Sequence, residues 1–410
     1  MAPSPSALAA GSGSDRLPVV PARAVALGLR VVLAGIALGG LYGGGWLSVA
    51  PNRLLPGEAL PATAALGPWT HAAAAALFAC LALSAARDRA PEDSPEPALT
   101  LRVSLLAGLL VALAVLTGLA AGRLLEGRPP SARCMAGAGL FTAAGAIGFL
   151  LLYEARALRP ARIAWIAAGA LAALALARRA GAFEALSIMV EYRARADLFH
   201  AALLRHLALS GAALALALLV SVPLGWAAFR RPRLRGAVEA VLNGVQVVPA
   251  VALFGLLVSL LSLALAAFPS LRALGLAAIG PTPAVIAVAA YLMLPLTRAI
   301  AMGLRAVDPA LIEAARGMGM GERRIAVEVR LPLGLPVFVA GLRVAAVQAV
   351  GLTTLGGLVG AGGLGAVVFE GMAQFASDLI ILGSAPIVAL ALLADLLLRT
   401  IELRLARPLS

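Results

Sequence analysis

The sequence predicts an all-α polytopic membrane protein of about ten spanning helices, and three features carry that prediction. Hydrophobic residues make up 61% of the 410 positions and charged residues only 13%, with a mean hydropathy of +0.97. A soluble domain of this size needs far more polar surface. Aromatics are 5%, and the apolar residues are mostly Ala, Leu, Val and Gly, which suits closely packed helices better than an aromatic-girdled barrel. These residues also fall into runs of roughly 20, the length that crosses a hydrocarbon core of ~30 Å at 1.5 Å per residue.

Residues 1–24 are rich in Ala, Pro, Ser and Gly without helical periodicity and read as a disordered cytoplasmic tail. Val31 to Ala50 forms the first apolar run, too long for the core of a signal peptide and therefore a retained span. Further spans are read at Trp69 to Ala86, Val103 to Gly122, Met135 to Tyr153, Ile163 to Ala177, Leu207 to Phe229, Val241 to Phe268, Pro283 to Met302, Val337 to Gly356 and Leu379 to Leu398. Arginine bias orients them: with the amino terminus inside, cytoplasmic segments carry 21 arginines against 10 outside,. Both termini, including a tail at residues 403–410, are then cytoplasmic. Gly181 to Arg205 is the longest polar interruption and reads as an outer connection with an interfacial amphipathic helix. It separates an amino-terminal membrane domain of about five helices, residues 25–180 and of unknown role, from a second five-helix domain at residues 206–402. No convincing internal repeat relates the two.

Composition also excludes chemistries. The 33 basic residues are all arginine, so the lysine of a Walker A loop, a Schiff base or a protein kinase is absent from the chain. If ATP drives this protein, another chain binds it, with its Mg; no cofactor is expected here. Cys80 and Cys134 lack metal-ligand spacing and read as small apolar packers. His71, His200 and His206 form no metal-ligand cluster. The net charge of +13 is scattered among apolar segments, which argues for membrane topology and not nucleic acid. No GxSxG, HExxH or histidine cluster suggests an intramembrane enzyme.

Between the eighth and ninth spans, in a loop at residues 303–332, Val307 to Pro332 reads VDPALIEAARGMGMGERRIAVEVRLP. Asp308 is suited to cap a helix and Pro309 to occupy its first position, where a missing N–H costs nothing. A short helix is expected to run to about Arg316 and to stop at Gly317, Gly319 and Gly321. A second is expected from Glu322 to about Val329, ending before Pro332. The small Ala314 and Ala315 would let another surface approach, with Glu313 and Arg316 fixing register; an ordinary solvated amphipathic loop is the alternative.

The spacing Glu313-Ala314-Ala315, three residues, Gly319, nine residues, Val329, one residue, Leu331-Pro332 resembles the EAA signature of ABC-importer permeases, matching every defined position. The resemblance covers roughly residues 200–405, whose five spans match the family's core. It implies a permease subunit in the bacterial cytoplasmic membrane whose loop docks into a dimer of cytoplasmic ATPases. It further implies a second permease, identical or paralogous, and a periplasmic or lipid-anchored substrate-binding protein.

Several shorter segments resemble the glycine betaine, carnitine and choline branch of osmoprotectant permeases. These are Leu204-Arg205-His206-Leu207, Val222-Pro223-Leu224-Gly225, Gln246-Val247-Val248-Pro249, Leu358 to Gly365 and Leu382 to Pro386. Amino-acid importers share the coupling loop, so an amino-acid permease is the alternative cargo reading. Gly360 to Gly365 fits G-x-G-x-x-G but lacks the preceding strand of a dinucleotide fold. We therefore read Gly360, Gly362, Gly363 and Gly365, with Gln246 and Pro249, as candidate gate or translocation-path residues. The path offers few aromatics for an ammonium cage, which points to a partner protein as the source of selectivity. A secondary transporter or channel is the rival class, and would be marked by acids or arginines near the bilayer middle. Asp395 and Arg399, four apart, are expected to pair.

Overall fold

In a computed structural model the described residues are 22–406, except Leu54, Pro56 and residues 86–89. The chain divides into two compact units, Met1–Met189 and Val190–Ser410. Nine described helices are long and apolar enough to cross a membrane. Most of the expected tail at residues 1–24 lies outside the described residues; helix has already begun at Ala22.

The first unit contains helices α1 (Ala22–Gly43), α2 (Ala62–Leu66), α3 (Trp69–Ala85), α4 (Glu96–Leu125), α5 (Ala138–Ala155) and α6 (Pro160–Arg179). Strands β1 (Gly45–Ala50), β2 (Glu58–Pro61) and β3 (Arg133–Ala136) form an antiparallel sheet in the order β2-β1-β3. The sheet corrects the first expected span. Gly43-Gly44-Gly45 ends the helix, and the apolar run that follows turns into strand, with Leu47 opposite Leu60 of β2 and Ser48 opposite Met135 of β3,. Trp46, fully buried, donates from Nε1 to Thr117 Oγ1 at 3.0 Å and anchors the sheet to α4. At the opposite end of the unit Glu154 meets Arg30 Nε at 2.6 Å and Arg102 Nη1 at 3.2 Å, all three buried. Such a group is tolerated in an apolar bundle only because the charges pair.

The chain passes through α7 (Ser187–Ala194) into α8 (Ala196–Arg230), which at 35 residues starts well before the expected Leu207. The second unit continues with α9 (Pro232–Val247), α10 (Ala250–Ala267), α11 (Pro281–Arg305), α12 (Pro309–Gly317) and α13 (Glu322–Arg324). A π turn (Ile325–Arg330), α14 (Leu331–Thr353), α15 (Leu364–Ala373) and α16 (Ser377–Leu405) complete it. Its core is built on α8, α11 and α14, where Leu209, Ala213 and Ala217 pack with Ala287, Leu292, Leu296, Ala345 and Ala349. Small residues let the helices approach: a Cβ on Gly334 would lie 2.3 Å from the Gly303 carbonyl oxygen,. The expected single span Val241 to Phe268 is two helices broken at Val248-Pro249. Asp395 pairs with Arg343 of α14 at 3.1 Å, and not as expected with Arg399.

Candidate functional site

The Asp308–Pro332 segment folds as a small module on the end of α11. Asp308 Oδ1 accepts from the Ala310 N–H at 2.9 Å, and Pro309 takes the first helical position. At the other end of α12 the Gly319 N–H donates to Arg316 O at 2.9 Å and the Met320 N–H to Ala315 O at 3.1 Å. Gly319 has φ +80°. These are the two bonds and the left-handed residue of a Schellman cap, in which the residue after the glycine packs back on the helix. Met320 does so, against a core of Val307, Ile312, Ala315 and Ile325. The distance from Ala315 to Gly319 is therefore a structural spacing: the alanine enters the core and its carbonyl receives the cap.

Ala315 is consequently buried, and does not offer the exposed contact expected of it, whereas Glu313 and Ala314 face outward. Leu311 and Met318 are exposed beside them, and Arg316 closes the module through Glu322 at 2.8 Å. The second helix also differs from expectation, because it does not end before Pro332. The chain winds through the π turn directly into α14, with the Leu331 N–H donating to Ala326 O. Pro332 has no N–H to continue an ordinary turn, and the wider winding absorbs that loss. Val329 packs on the module's core, and Leu331 is half exposed where the module becomes a membrane helix.

Arginines join the module to the helix bundle. Arg330 Nη1 donates to Leu304 O at 3.0 Å, satisfying a carbonyl in the last turn of α11, and its guanidinium lies 5.2 Å from the Phe229 ring centroid on α8. Arg305 Nη2 donates to Ala228 O at 2.9 Å, in the last turn of α8. Helix carboxyl ends carry unpaired carbonyls and partial negative charge, so guanidinium groups there both hydrogen-bond and complement the dipole. The result is a continuous chain from the module through Arg330 to α11, and through Arg305 to α8. The sequence reading missed Arg330, which occupies the undefined position between Val329 and Leu331.

The break between α9 and α10 is held by reciprocal bonds to α11. Gln246 Nε2 donates to Tyr291 O at 2.7 Å, and the Tyr291 hydroxyl donates to Val248 O. Pro249 opens α10 and leaves carbonyls before it without a helical donor; Tyr291 supplies one,. Irregular backbone inside an apolar bundle persists where protein satisfies it.

The glycine segment lies elsewhere, at the end of α14. Gly360, Gly362 and Gly363 have φ of 74°, 79° and 76°, and a Cβ on Gly365 would fall 2.0 Å from Thr354 O. Arg205 Nε donates to Ala361 O at 3.2 Å, His206 Nε2 lies 3.0 Å from Val350 O, and the Gly280 N–H donates to Val359 O at 2.8 Å. Arg205 thus holds the glycine segment while His206 ties α8 to α14 just before it, which brings two of the short sequence motifs together. Beside it Arg195 reaches Glu370 at 2.5 Å, a bond that pushes the guanidinium pKa up. Among the described residues no three His, Cys, Asp or Glu side chains gather into a group able to hold a metal ion.

Residues 217–407 match the family of binding-protein-dependent transport system inner membrane components, and residues 26–189 match the N-terminal domain of the ABC transporter permease YehY. The carnitine transport permease protein OpuCB of Listeria monocytogenes is 35% identical over 49% of this chain and 85% of that protein. The osmoprotectant import permease protein OsmW of Salmonella typhimurium is 34% identical over 48% of this chain and 87% of its own length. A solved chain of the MetNI methionine ABC transporter in an inward-facing conformation is 22% identical, with a TM-score of 0.45 over 52% of this chain and 98% of that one.

Proposed function

The chain belongs to the binding-protein-dependent transport system inner membrane components, the permease subunits of ABC importers, and from that membership we propose that it imports glycine betaine- or choline-type osmoprotectants by ATP-driven alternating access. In this reading the Asp308–Pro332 module sits in the cytoplasm, with both chain termini, and docks on an ATPase that binds ATP and Mg. Two permeases, identical or paralogous, and two ATPases make the transporter, and a binding protein delivers cargo from outside. The chain itself is non-catalytic.

The observation that carries the reading is the module's construction. It has its own core, so it can move as one body, yet Glu313 and Ala314 remain outward for a partner. Arg330 and Arg305 give its motion a route into α11 and α8. Movement of those helices would in turn shift the break at Gln246 and Pro249, through Tyr291, and open or close the path. The Gly360–Gly365 segment, fixed between α8 and α11 by Arg205 and the Gly280 N–H, is the proposed outer gate. The cargo assignment rests on the relatives' osmoprotectant permeases.

Reconstitution tests it. Vesicles holding this chain, an ATPase of its family and the binding protein should take up labelled glycine betaine or choline only when ATP and both partners are present. Uptake without an ATPase would overturn the coupling, and uptake confined to amino acids would overturn the cargo.

A further inference from the structure

A second site lies on the module side of the second unit, away from the break and the glycine segment. Between α8, α11, the π turn and α14 there is an apolar chamber of about 420 Å³. Val222 and Trp226 line it from α8, Ile300 from α11, Val327 from the π turn and Phe338 from α14, and the closely approaching Gly303 and Gly334 line it too. The chamber is not sealed, because Val222, Val327 and Leu331, which line it, are each about half exposed. Trp226 to Val222 is one turn of α8, so the chamber lies within about 12 Å of the helix end at Arg230.

The mouth is cationic. The Arg230 guanidinium lies 5.1 Å from the Trp226 ring centroid, and Arg330 lines the chamber itself while stacking on Phe229. Arg231, Arg233 and Arg235 follow, and the first acid after them is Glu239. Apolar walls that open to hydrocarbon, topped by guanidinium groups at the membrane boundary, complement one kind of molecule: a chain-bearing lipid with an anionic head. An apolar protein side chain would fill the walls but leave the arginines without a counter-charge, and a zwitterionic lipid, whose phosphate is offset by its own cation, would leave their net positive charge uncompensated.

We propose that this chamber binds an anionic phospholipid of the leaflet on the module side, with an acyl chain against Trp226 and Phe338 and the phosphate on Arg230 and Arg330. The proposal stands independently of cargo and of ATP coupling. Because the π turn forms one wall, the lipid would sit where the module meets the bundle.

Trp226 reports occupancy directly. The purified chain is placed in phosphatidylcholine vesicles in which the same mole fraction of lipid is replaced by phosphatidylglycerol or phosphatidylcholine with brominated acyl chains. The difference in quenching between the wild type and Trp226→Phe isolates this residue from the other tryptophans. Brominated phosphatidylglycerol should bind the chamber about fivefold more tightly for each arginine engaged, the factor that corresponds to about 1 kcal/mol per basic residue near an anionic surface. Arg230→Gln should lower the phosphatidylglycerol-to-phosphatidylcholine ratio about fivefold, and Val222→Phe, which fills the mouth, should bring it to one. Equal quenching by the two lipids in the wild type would overturn the proposal. So would a preference that survives both variants, which would signal a diffuse basic surface, or a Trp226 that neither lipid quenches, which would mean protein covers the mouth.

Discussion

Replacing Arg330 by alanine removes the link between the module and the bundle while leaving every defined position of the loop signature intact. The side chain makes one charge-assisted bond to Leu304 O at 3.0 Å and one stacking contact with Phe229 at 5.2 Å. Bonds to charged groups contribute about 1.5–3 kcal/mol, and a partly exposed cation–π contact about 0.5–1 kcal/mol. The link is thus worth about 2–4 kcal/mol, an upper bound on lost coupling because α14 remains covalently joined to the π turn. Transport per ATP hydrolysed, measured in proteoliposomes with the ATPase and binding protein, should fall by roughly tenfold, the equivalent of about 1.4 kcal/mol. Hydrolysis itself should persist. Phe229→Ala should lower the same ratio by a smaller factor, since it spares the bond to Leu304. A wild-type ratio in Arg330→Ala would refute the relay, and loss of hydrolysis as well as transport would place Arg330 in docking instead.

Other perturbations separate structural glycines from tolerant ones and probe the remaining contacts. Gly334→Ala should lower the apparent melting temperature in detergent through an overpacking cost of about 1–3 kcal/mol, because its Cβ would meet Gly303 backbone,. Gly319→Ala, with nothing within 4 Å of its Cβ, should cost only about 1–2 kcal/mol of left-handed backbone strain; a larger loss than that of Gly334→Ala would contradict the assignment,. Tyr291→Phe deprives the Val248 carbonyl of its donor and should destabilise by about 1–3 kcal/mol, with uptake falling at unchanged ATP hydrolysis,. Burial in β3 pushes the Cys134 thiol up to about 11 from 9.0. The stability this gives is complete below pH ~9 and fades as pH rises through the folded value. Cys134 should therefore resist maleimide at pH ~8 until the protein is unfolded; labelling of the folded chain would show that its environment is misjudged.

Local chemistry was readable where it acts over a few residues. Asp308, Pro309 and Gly319 announce the cap, the first turn and the stop of α12 because each depends on its own backbone geometry. The long apolar runs announce the spans for the same reason. What lay beyond reach needs partners distant in sequence. Val241 to Phe268 looks continuous because its apolar composition is continuous; the break at Pro249 is tolerated only through Tyr291, more than forty residues on. Gly45–Ala50 looks like the end of a helix in a hydropathy window, and only pairing with β2 and β3 makes it strand, although the run Gly43-Gly44-Gly45 that leads into it was the available signal. Pro332 ordinarily marks a helix end, and the π turn removes the penalty by widening one turn. Arg330 and the Arg30–Glu154–Arg102 group carry no motif at all, since their roles come entirely from tertiary placement.

The central claim is that the outward face of the Asp308–Pro332 module transmits ATPase motion to the membrane helices. Glu313→Arg tests it most directly, because Glu313 is exposed and outside the module's core, so the reversed charge should leave folding and insertion unchanged. Uptake and ATP hydrolysis are measured together in vesicles holding the complete transporter. The account predicts a chain that inserts and assembles normally, with hydrolysis continuing and uptake lost. Wild-type uptake by Glu313→Arg would contradict it.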